Sequence, residues 1–189
     1  MLDIKKAQEH LKKQLGPERF SHCLRVSMTA KKLARFWKEN QEKAEIAGLL
    51  HDCSRYAKGR GLIAEAKKYG LAIKPEYYME PKLCHAPLAA KIARKVYMVK
   101  DKDILNAICH HTLGRKKMSR LEKIIYIADH MEPARNHLHV KVMRKTACKN
   151  LDKAIAISTS SMLEFLLKEN KPIAETALKT RNYYLKKAK

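Results

Sequence analysis

Apolar residues recur at helical spacing along most of this chain, and this periodicity constrains the fold more than any other feature. Leu2 to Leu15 forms a first amphipathic segment that Gly16-Pro17 ends, and Glu18 to Trp37 forms a second. No run of alternating apolar and polar residues stands out as a strand, and no Asn-Gly or Asp-Gly pair suggests a hairpin. We therefore predict an all-α fold.

Further amphipathic segments continue this pattern towards the C-terminus. Helical spacing predicts helices over Lys43–Leu50, Leu62–Tyr69, Pro87–Val99 and Asp103–His111. Residues 53 to 82 mix Gly, Pro, Tyr and charged residues, so we expect a loop region around one short helix there. The segment from Val140 to Lys187 is predicted to form two more helices that break near Asn170-Lys-Pro172.

The most apolar run of the chain, Ile124 to Ala128, follows a capping-box pattern. In Ser119-Arg-Leu-Glu122 the Ser side chain can accept a free backbone N–H while the Glu side chain reaches back to the cap. This favours a buried central helix that Pro133 ends. The β-branched content of the run also suits a strand.

Length and composition limit the class of protein. A chain of 189 residues fits one domain, which we place over residues 1–189, with a core at about 18–135 and helices at 140–187 packing on it. Because no stretch has the roughly 20 apolar residues of a membrane span and the first residues lack signal-peptide features, we expect a cytoplasmic protein. The five Cys residues lack Cys-x-x-Cys spacing, which argues against a disulfide framework or a zinc ribbon.

Charge indicates which partners are compatible with this chain. It has 41 Lys and Arg against 19 Asp and Glu, a formal net charge of +22. Such an excess favours a polyanion: nucleic acid, anionic lipid or a phosphorylated small molecule. A nucleic-acid-binding protein therefore stays an alternative, although no recognised nucleic-acid-binding signature is present.

Histidines and aspartates lie beside several of the apolar helical segments. The apolar segment Ala44 to Leu50 runs directly into His51-Asp52, and burying either group without a partner is costly. A divalent transition metal would satisfy both side chains, because neutral imidazole and ionised carboxylate are good ligands. Two adjacent residues cannot fill a coordination sphere, so other helices must contribute. Candidates in comparable positions are His22, His85, the pair His110-His111, and Asp129.

This order of His and Asp residues resembles the HD-domain superfamily of metal-dependent phosphohydrolases. Four segments, Ala47–Asp52, Ala107–Arg115, Met118-Ser119 and Ala128–Arg135, resemble the narrower bacterial YqeK family of symmetrical dinucleoside tetraphosphatases. The resemblance runs from about Arg19 to the C-terminal helix. It implies an HD-domain helical bundle that cleaves dinucleoside tetraphosphates to two nucleoside diphosphates, which are ADP for the diadenosine substrate.

The resemblance also implies roles for individual residues. Metal binding, to iron in this family, and catalysis would fall to His22, His51, Asp52 and Asp129. His85 and His111 would contact phosphate or hold a second ion, and His111 rather than His110 aligns with the His-Thr of the family. The substrate would be lined by Arg19, Asp52, Cys53, Ser54, Arg55, His85, His111, Met118 and Ser119.

Several alternatives stay open on the sequence. Mixed nitrogen and oxygen ligands accept iron, manganese, cobalt or zinc, in one ion or two. Basic residues that follow the candidate ligands, Arg55 and Lys58 in one segment and Arg115 to Lys117 in another, suit binding of a polyphosphate. Another HD-type nucleotide phosphohydrolase or phosphodiesterase is the main alternative function, and a homodimer is compatible with the sequence.

Overall fold

A computed structural model describes residues 2–188, so residues 1 and 189 of the predicted domain lie outside the described part. Within residues 2–188 the chain forms eleven α-helices, a short 3-10 helix at Pro81–Cys84, and no β-strand. The all-α prediction is confirmed, and the run Ile124–Ala128 is helical. The α-helices are α1 (Ile4–Gln14), α2 (Pro17–Phe36), α3 (Gln41–Leu50), α4 (Arg60–Lys68), α5 (Pro75–Met79), α6 (His85–Lys95), α7 (Lys102–His110), α8 (Arg120–Met131), α9 (Val140–Ala147), α10 (Leu151–Lys168) and α11 (Glu175–Lys187).

Local sequence signals determine where the central helices begin. Pro17 occupies the first turn of α2, where its missing N–H costs nothing. Asn40 caps α3 by accepting the Lys43 N–H at 2.9 Å. The predicted capping box of α8 is confirmed, because Ser119 Oγ accepts the Glu122 N–H while Glu122 Oε2 accepts the Ser119 N–H.

The prediction of two C-terminal helices was wrong, since the described residues form three. The helix break that the periodicity missed lies between α9 and α10, where the Asn150 side chain accepts the Lys153 N–H at 2.9 Å and starts a new helix. Apolar residues on both sides, Ala147 and Leu151, are buried, so the apolar pattern runs through the turn. The break near Asn170 is confirmed, and Asn170 has a φ of +50°.

Two short helices that begin within residues 53–82 were also missed. The structure has the expected helix there as α4, but α5 and the 3-10 helix follow it. Pro75 and Pro81 stand in the first turn of these two elements, where a proline suits a helix start. A helix of five residues or four is too short for periodicity to reveal it.

The core brings the ends of several helices together. Helix α2 packs against α3 and α8, α3 packs against α7 and α8, and α6 packs against α7. The run Ile124–Ala128 of α8 is fully buried, and α10 covers α8 and carries α11. Among residues 2–188 no helix has both the length and the apolar character that crossing a membrane requires.

Glu122 clamps the loop between α7 and α8 (residues 111–119). Its carboxylate is 1% exposed and accepts hydrogen bonds from Arg115 Nε at 2.7 Å and from the Ser119 N–H at 2.7 Å, while His110 Nδ1 lies 3.0 Å away. Although burial raises the pKa of Glu122, the contacts with His110, Arg115 and Ser119 lower it to about 2. The ionised Glu122 therefore stabilises the folded state at neutral pH.

Replacing Glu122 by glutamine should lower the free energy of unfolding at pH 7 by about 2 kcal/mol, because charge-assisted hydrogen bonds are lost. The folded pKa lies below the ordinary value of 4.5, so this contribution is present above that pH and is lost as the pH falls towards about 2. Urea unfolding of both proteins at several pH values from 7 down to 3 measures the difference. A difference that does not shrink below pH 4.5 would contradict this assignment.

Candidate metal and phosphate site

Four histidines from four helices converge in the core. His22 lies on α2, His51 directly follows α3, His85 begins α6 and His111 directly follows α7, and all four are buried. The Nε2 atoms of His22 and His51 are 3.2 Å apart. Those of His85 and His111 are 3.1 Å apart. The imidazoles thus form two pairs whose Nε2 atoms face each other.

Two aspartates lie among these histidines. Asp129 on α8 places Oδ1 3.0 Å from His22 Nε2 and 3.9 Å from His51 Nε2. Asp52 faces both pairs, because its Oδ2 is 3.6 Å from His51 Nε2 while its Oδ1 is 3.4 Å from His85 Nε2. We call His22, His51, Asp52, His85, His111 and Asp129 the His/Asp cluster.

Backbone carbonyls fix the orientation of three of the imidazoles. His51, His85 and His111 each follow the end of a helix or begin one, and each Nδ1 donates to the carbonyl three residues earlier. The acceptors are Gly48 at 2.7 Å, Lys82, and Ile108 at 2.7 Å respectively. Since a neutral imidazole carries one proton, each of these rings directs an unprotonated Nε2 into the cluster.

Burial keeps these imidazoles neutral. It lowers the pKa of His51, and it lowers those of His85 and His111 to about 4. Burial raises the pKa of Asp52 and Asp129, but neighbouring imidazoles outweigh it and hold both below the usual range of aspartate. At neutral pH these three imidazoles therefore present neutral nitrogen donors beside ionised carboxylates.

The donor set of the cluster fits a metal ion. The facing Nε2 atoms of His85 and His111 bring two lone pairs within 3.1 Å, an arrangement that an intervening cation stabilises. Asp52 Oδ1 is buried and has no hydrogen-bond partner among the described residues. Two sets of three ligand atoms lie within 4.8 Å of one another: His22, His51 and Asp129, and His51, Asp52 and His111.

A basic cavity of about 660 Å³ opens onto the cluster at His22. Arg19 Nη1 donates to Asp52 Oδ2 at 2.7 Å, and Arg135 Nη2 donates to Asp129 Oδ1 at 2.6 Å. The predicted Arg55 also lines this cavity. Its cationic lining comprises Arg19, Arg25, Arg55, Lys58, Lys82 and Arg135. Such a cavity suits a polyanionic ligand.

Four other predicted substrate-lining residues have their polar groups engaged within the fold. Cys53 Sγ donates to the Ala89 carbonyl at 3.4 Å, and Ser54 Oγ donates to the His85 carbonyl at 2.8 Å. Met118 is buried, its N–H donates to Tyr184 Oη of α11 at 2.9 Å, and Ser119 caps α8. The contact of these four residues with a nucleotide stays a prediction.

Two differences from the sequence-based interpretation concern charged residues. Arg115, expected beside the phosphates, is ion-paired with Glu122.

Glu132, for which the sequence suggested no role, contacts His22 Nδ1 at 3.2 Å and accepts a hydrogen bond from Arg25 Nε at 2.7 Å. Burial raises the pKa of Glu132, and these contacts lower it below the usual range. These partners are more than 100 positions apart in the chain, so no local pattern could reveal them.

Comparisons with known proteins agree with this architecture. The sequence model of the HD domain matches residues 19–134. A protein of Halalkalibacterium halodurans named bis(5'-nucleosyl)-tetraphosphatase, symmetrical, is 37% identical over 95% of this chain and 96% of its own length. A Bacillus subtilis protein of the same name is 35% identical over 92% of each chain. The crystal structure of a predicted HD superfamily hydrolase involved in NAD metabolism from Clostridium acetobutylicum superposes with a TM-score of 0.94, at 37% identity and 99% coverage of both chains.

Proposed function

The chain belongs to the HD-domain family and, within it, to the family of symmetrical bis(5'-nucleosyl)-tetraphosphatases, and from this membership we propose that it hydrolyses dinucleoside tetraphosphates at the central anhydride. Diadenosine tetraphosphate and water would give two molecules of ADP. The observation that carries the proposal is the His/Asp cluster, which lies against a basic cavity large enough for a nucleotide polyphosphate.

Metal binding in this proposal falls to the His/Asp cluster. His22, His51, Asp52 and Asp129 would hold one divalent ion, and His85 and His111 would hold a second or contact phosphate. When bound, such an ion lowers the pKa of a coordinated water and offsets negative charge on the phosphate. Iron is the metal we propose, because the family resemblance implies it and the mixed nitrogen and oxygen donors accept it.

The cationic side chains that line the cavity would bind and orient the polyphosphate. Arg55 and Lys58 line the cavity beside the cluster, where they would bind phosphate oxygens and hold the polyphosphate in place. A guanidinium can bind two oxygens of one phosphate, which fixes orientation as well as position. Breaking the central anhydride sends negative charge onto the departing nucleoside diphosphate, and the same cations stabilise that charge.

Product analysis tests the reaction directly. Iron-loaded protein incubated with diadenosine tetraphosphate should yield ADP as the only nucleotide product, and the chelator EDTA should suppress it. AMP together with ATP would contradict symmetrical cleavage, whereas an absence of turnover would contradict the substrate class. Metal content is measured by elemental analysis on the same sample, so that loss of the ion is distinguished from lack of activity.

Two alternatives are separated by parallel assays. Cyclic nucleotides, nucleoside monophosphates and NAD⁺ serve as further substrates, and faster turnover of any of them would favour another HD-type hydrolase. The net charge of +22 favours nucleic acid as the other alternative ligand. Filter binding at two salt concentrations, with and without EDTA, detects salt-sensitive affinity for nucleic acid. Chelator-insensitive binding of nucleic acid without hydrolysis would favour that alternative.

Location and assembly belong to the same proposal. We place the protein in the cytoplasm, where nucleotide polyphosphates are available as substrates. We also propose that two copies of the chain form a homodimer. Cell fractionation and light scattering on purified protein test these two points.

A further inference from the structure

His22 differs from the other three histidines of the cluster because carboxylates face both of its ring nitrogens. Its Nδ1 lies 3.2 Å from Glu132 Oε1, and its Nε2 lies 3.0 Å from Asp129 Oδ1. In the other three rings a backbone carbonyl accepts the Nδ1 proton. Both ring nitrogens thus face a possible proton acceptor, and Nε2 can bind a metal ion only where it carries no proton.

Glu132 is held rigidly enough to keep a proton on His22 Nδ1. Its side chain is buried, with the residue 2% exposed, immediately after the end of α8. Oε2 accepts hydrogen bonds from Arg25 Nε at 2.7 Å and from the Ala134 N–H at 2.8 Å, while Oε1 faces His22 and accepts a longer one from Arg25 Nη2 at 3.4 Å. An ionised carboxylate only accepts hydrogen bonds, so His22 Nδ1 carries a proton in this contact.

We propose that Glu132 is a positioning residue for metal binding: it holds the proton of His22 on Nδ1 and thereby leaves His22 Nε2 free to bind a metal ion. Arg25 supports this role by fixing the second oxygen of Glu132. The proposal rests on the proposed function, because it assumes that the His/Asp cluster holds a metal. Without Glu132, the proton can move to Nε2 and donate to Asp129, which blocks the ring nitrogen that faces the cluster.

Replacing Glu132 by glutamine tests the proposal with an isosteric side chain. Arg25 Nε and the Ala134 N–H both donate to Oε2, so the amide should turn its oxygen towards them and its NH₂ group towards His22. His22 Nδ1 must then accept, and its proton moves to Nε2. Competition between the protein and a chelator for cobalt(II) should show affinity weakened about 10- to 100-fold.

Glu122 offers a matched control within the same chain. It is also buried, and its carboxylate likewise contacts one arginine, one histidine Nδ1 and one backbone N–H, but its histidine is His110, outside the His/Asp cluster. The Glu122→Gln variant should lose stability and still bind cobalt(II) within about threefold of the wild type. If both variants weaken cobalt(II) binding equally, Glu132 acts only through the fold and the proposal is overturned.

Nitrogen NMR of the zinc-loaded wild type gives a readout that needs no variant. His22 should carry its proton on Nδ1, with Nε2 unprotonated. A proton on Nε2 would overturn the proposal, even if Glu132→Gln failed to fold. The proposed function fails separately: wild type that binds cobalt(II) more tightly than Glu132→Gln but leaves diadenosine tetraphosphate intact would refute the substrate while preserving this role for Glu132.

Discussion

Replacing Asp52 by asparagine or alanine should abolish metal retention and lower turnover of diadenosine tetraphosphate roughly a thousandfold or more, since metal catalysis supplies several kcal/mol of transition-state stabilisation. The reason is the position of this carboxylate between the two histidine pairs. Oδ2 lies 3.6 Å from His51 Nε2 and Oδ1 lies 3.4 Å from His85 Nε2. No other carboxylate among the described residues lies within 4.0 Å of both pairs, so neither variant leaves a substitute ligand there.

Stability should fall as well. Although burial raises the pKa of Asp52, the neighbouring imidazoles hold it below the usual range, and Oδ2 accepts a hydrogen bond from Arg19 Nη1 at 2.7 Å, so the ionised carboxylate stabilises the folded state at neutral pH. The metal-free Asp52→Asn variant should therefore unfold at a lower urea concentration than metal-free wild type, with an unchanged helical circular-dichroism spectrum.

Asp103 provides the control for Asp52. Its side chain is exposed on α7 and pairs with Lys43 at 3.2 Å, outside the His/Asp cluster. Asp103→Asn should keep both metal content and turnover. Elemental analysis and product chromatography on wild type, Asp52→Asn and Asp103→Asn measure metal content and turnover. Full activity in Asp52→Asn would mean that the site has been placed wrongly.

The sequence predicted the ligand series because the chemistry of the site leaves a local trace. Imidazoles and carboxylates directly beside apolar helical segments, such as His51-Asp52 after Ala44–Leu50, are costly to bury without a partner. Their position next to apolar segments can be seen in the amino-acid sequence alone. The structure brings His22, His51, Asp52, His85, His111 and Asp129 together, as the metal-site hypothesis requires. Their individual roles as ligands stay predictions.

Features that depend on long-range pairing could not be predicted. Glu132 follows an apolar helix much as Asp52 does, yet its partners His22 and Arg25 lie on α2, and only the folded chain brings them within 3.2 Å and 2.7 Å. The break before α10 was missed for a different reason. Asn150 caps that helix, but buried apolar residues continue on both sides of it. The helical spacing of apolar residues therefore shows no interruption at this turn.

Gly48 links the packing of the core to the geometry of the site. A Cβ atom at this position would stand 2.8 Å from the Cα of Ser27 and 3.0 Å from its backbone N, so α3 approaches α2 more closely than any side chain allows. The Gly48 carbonyl also accepts the hydrogen bond from His51 Nδ1 at 2.7 Å. Because the opposing atoms are backbone atoms, no change of rotamer can make room for a methyl group.

Gly48→Ala should therefore destabilise the fold by about 3 kcal/mol, at the upper end of overpacking costs, and should weaken metal retention as well. Separating α3 from α2 moves the carbonyl that orients His51, and it moves His51 away from His22 on the opposing helix. Urea unfolding and elemental analysis measure the two effects.

Gly61→Ala is the matched control, since Gly61 is also helical but has open space around it. Its free energy of unfolding should rise by up to about 1 kcal/mol, with unchanged metal content. If Gly48→Ala lost stability yet retained metal like wild type, the close helix contact would serve the core alone and His51 would owe its orientation to other contacts.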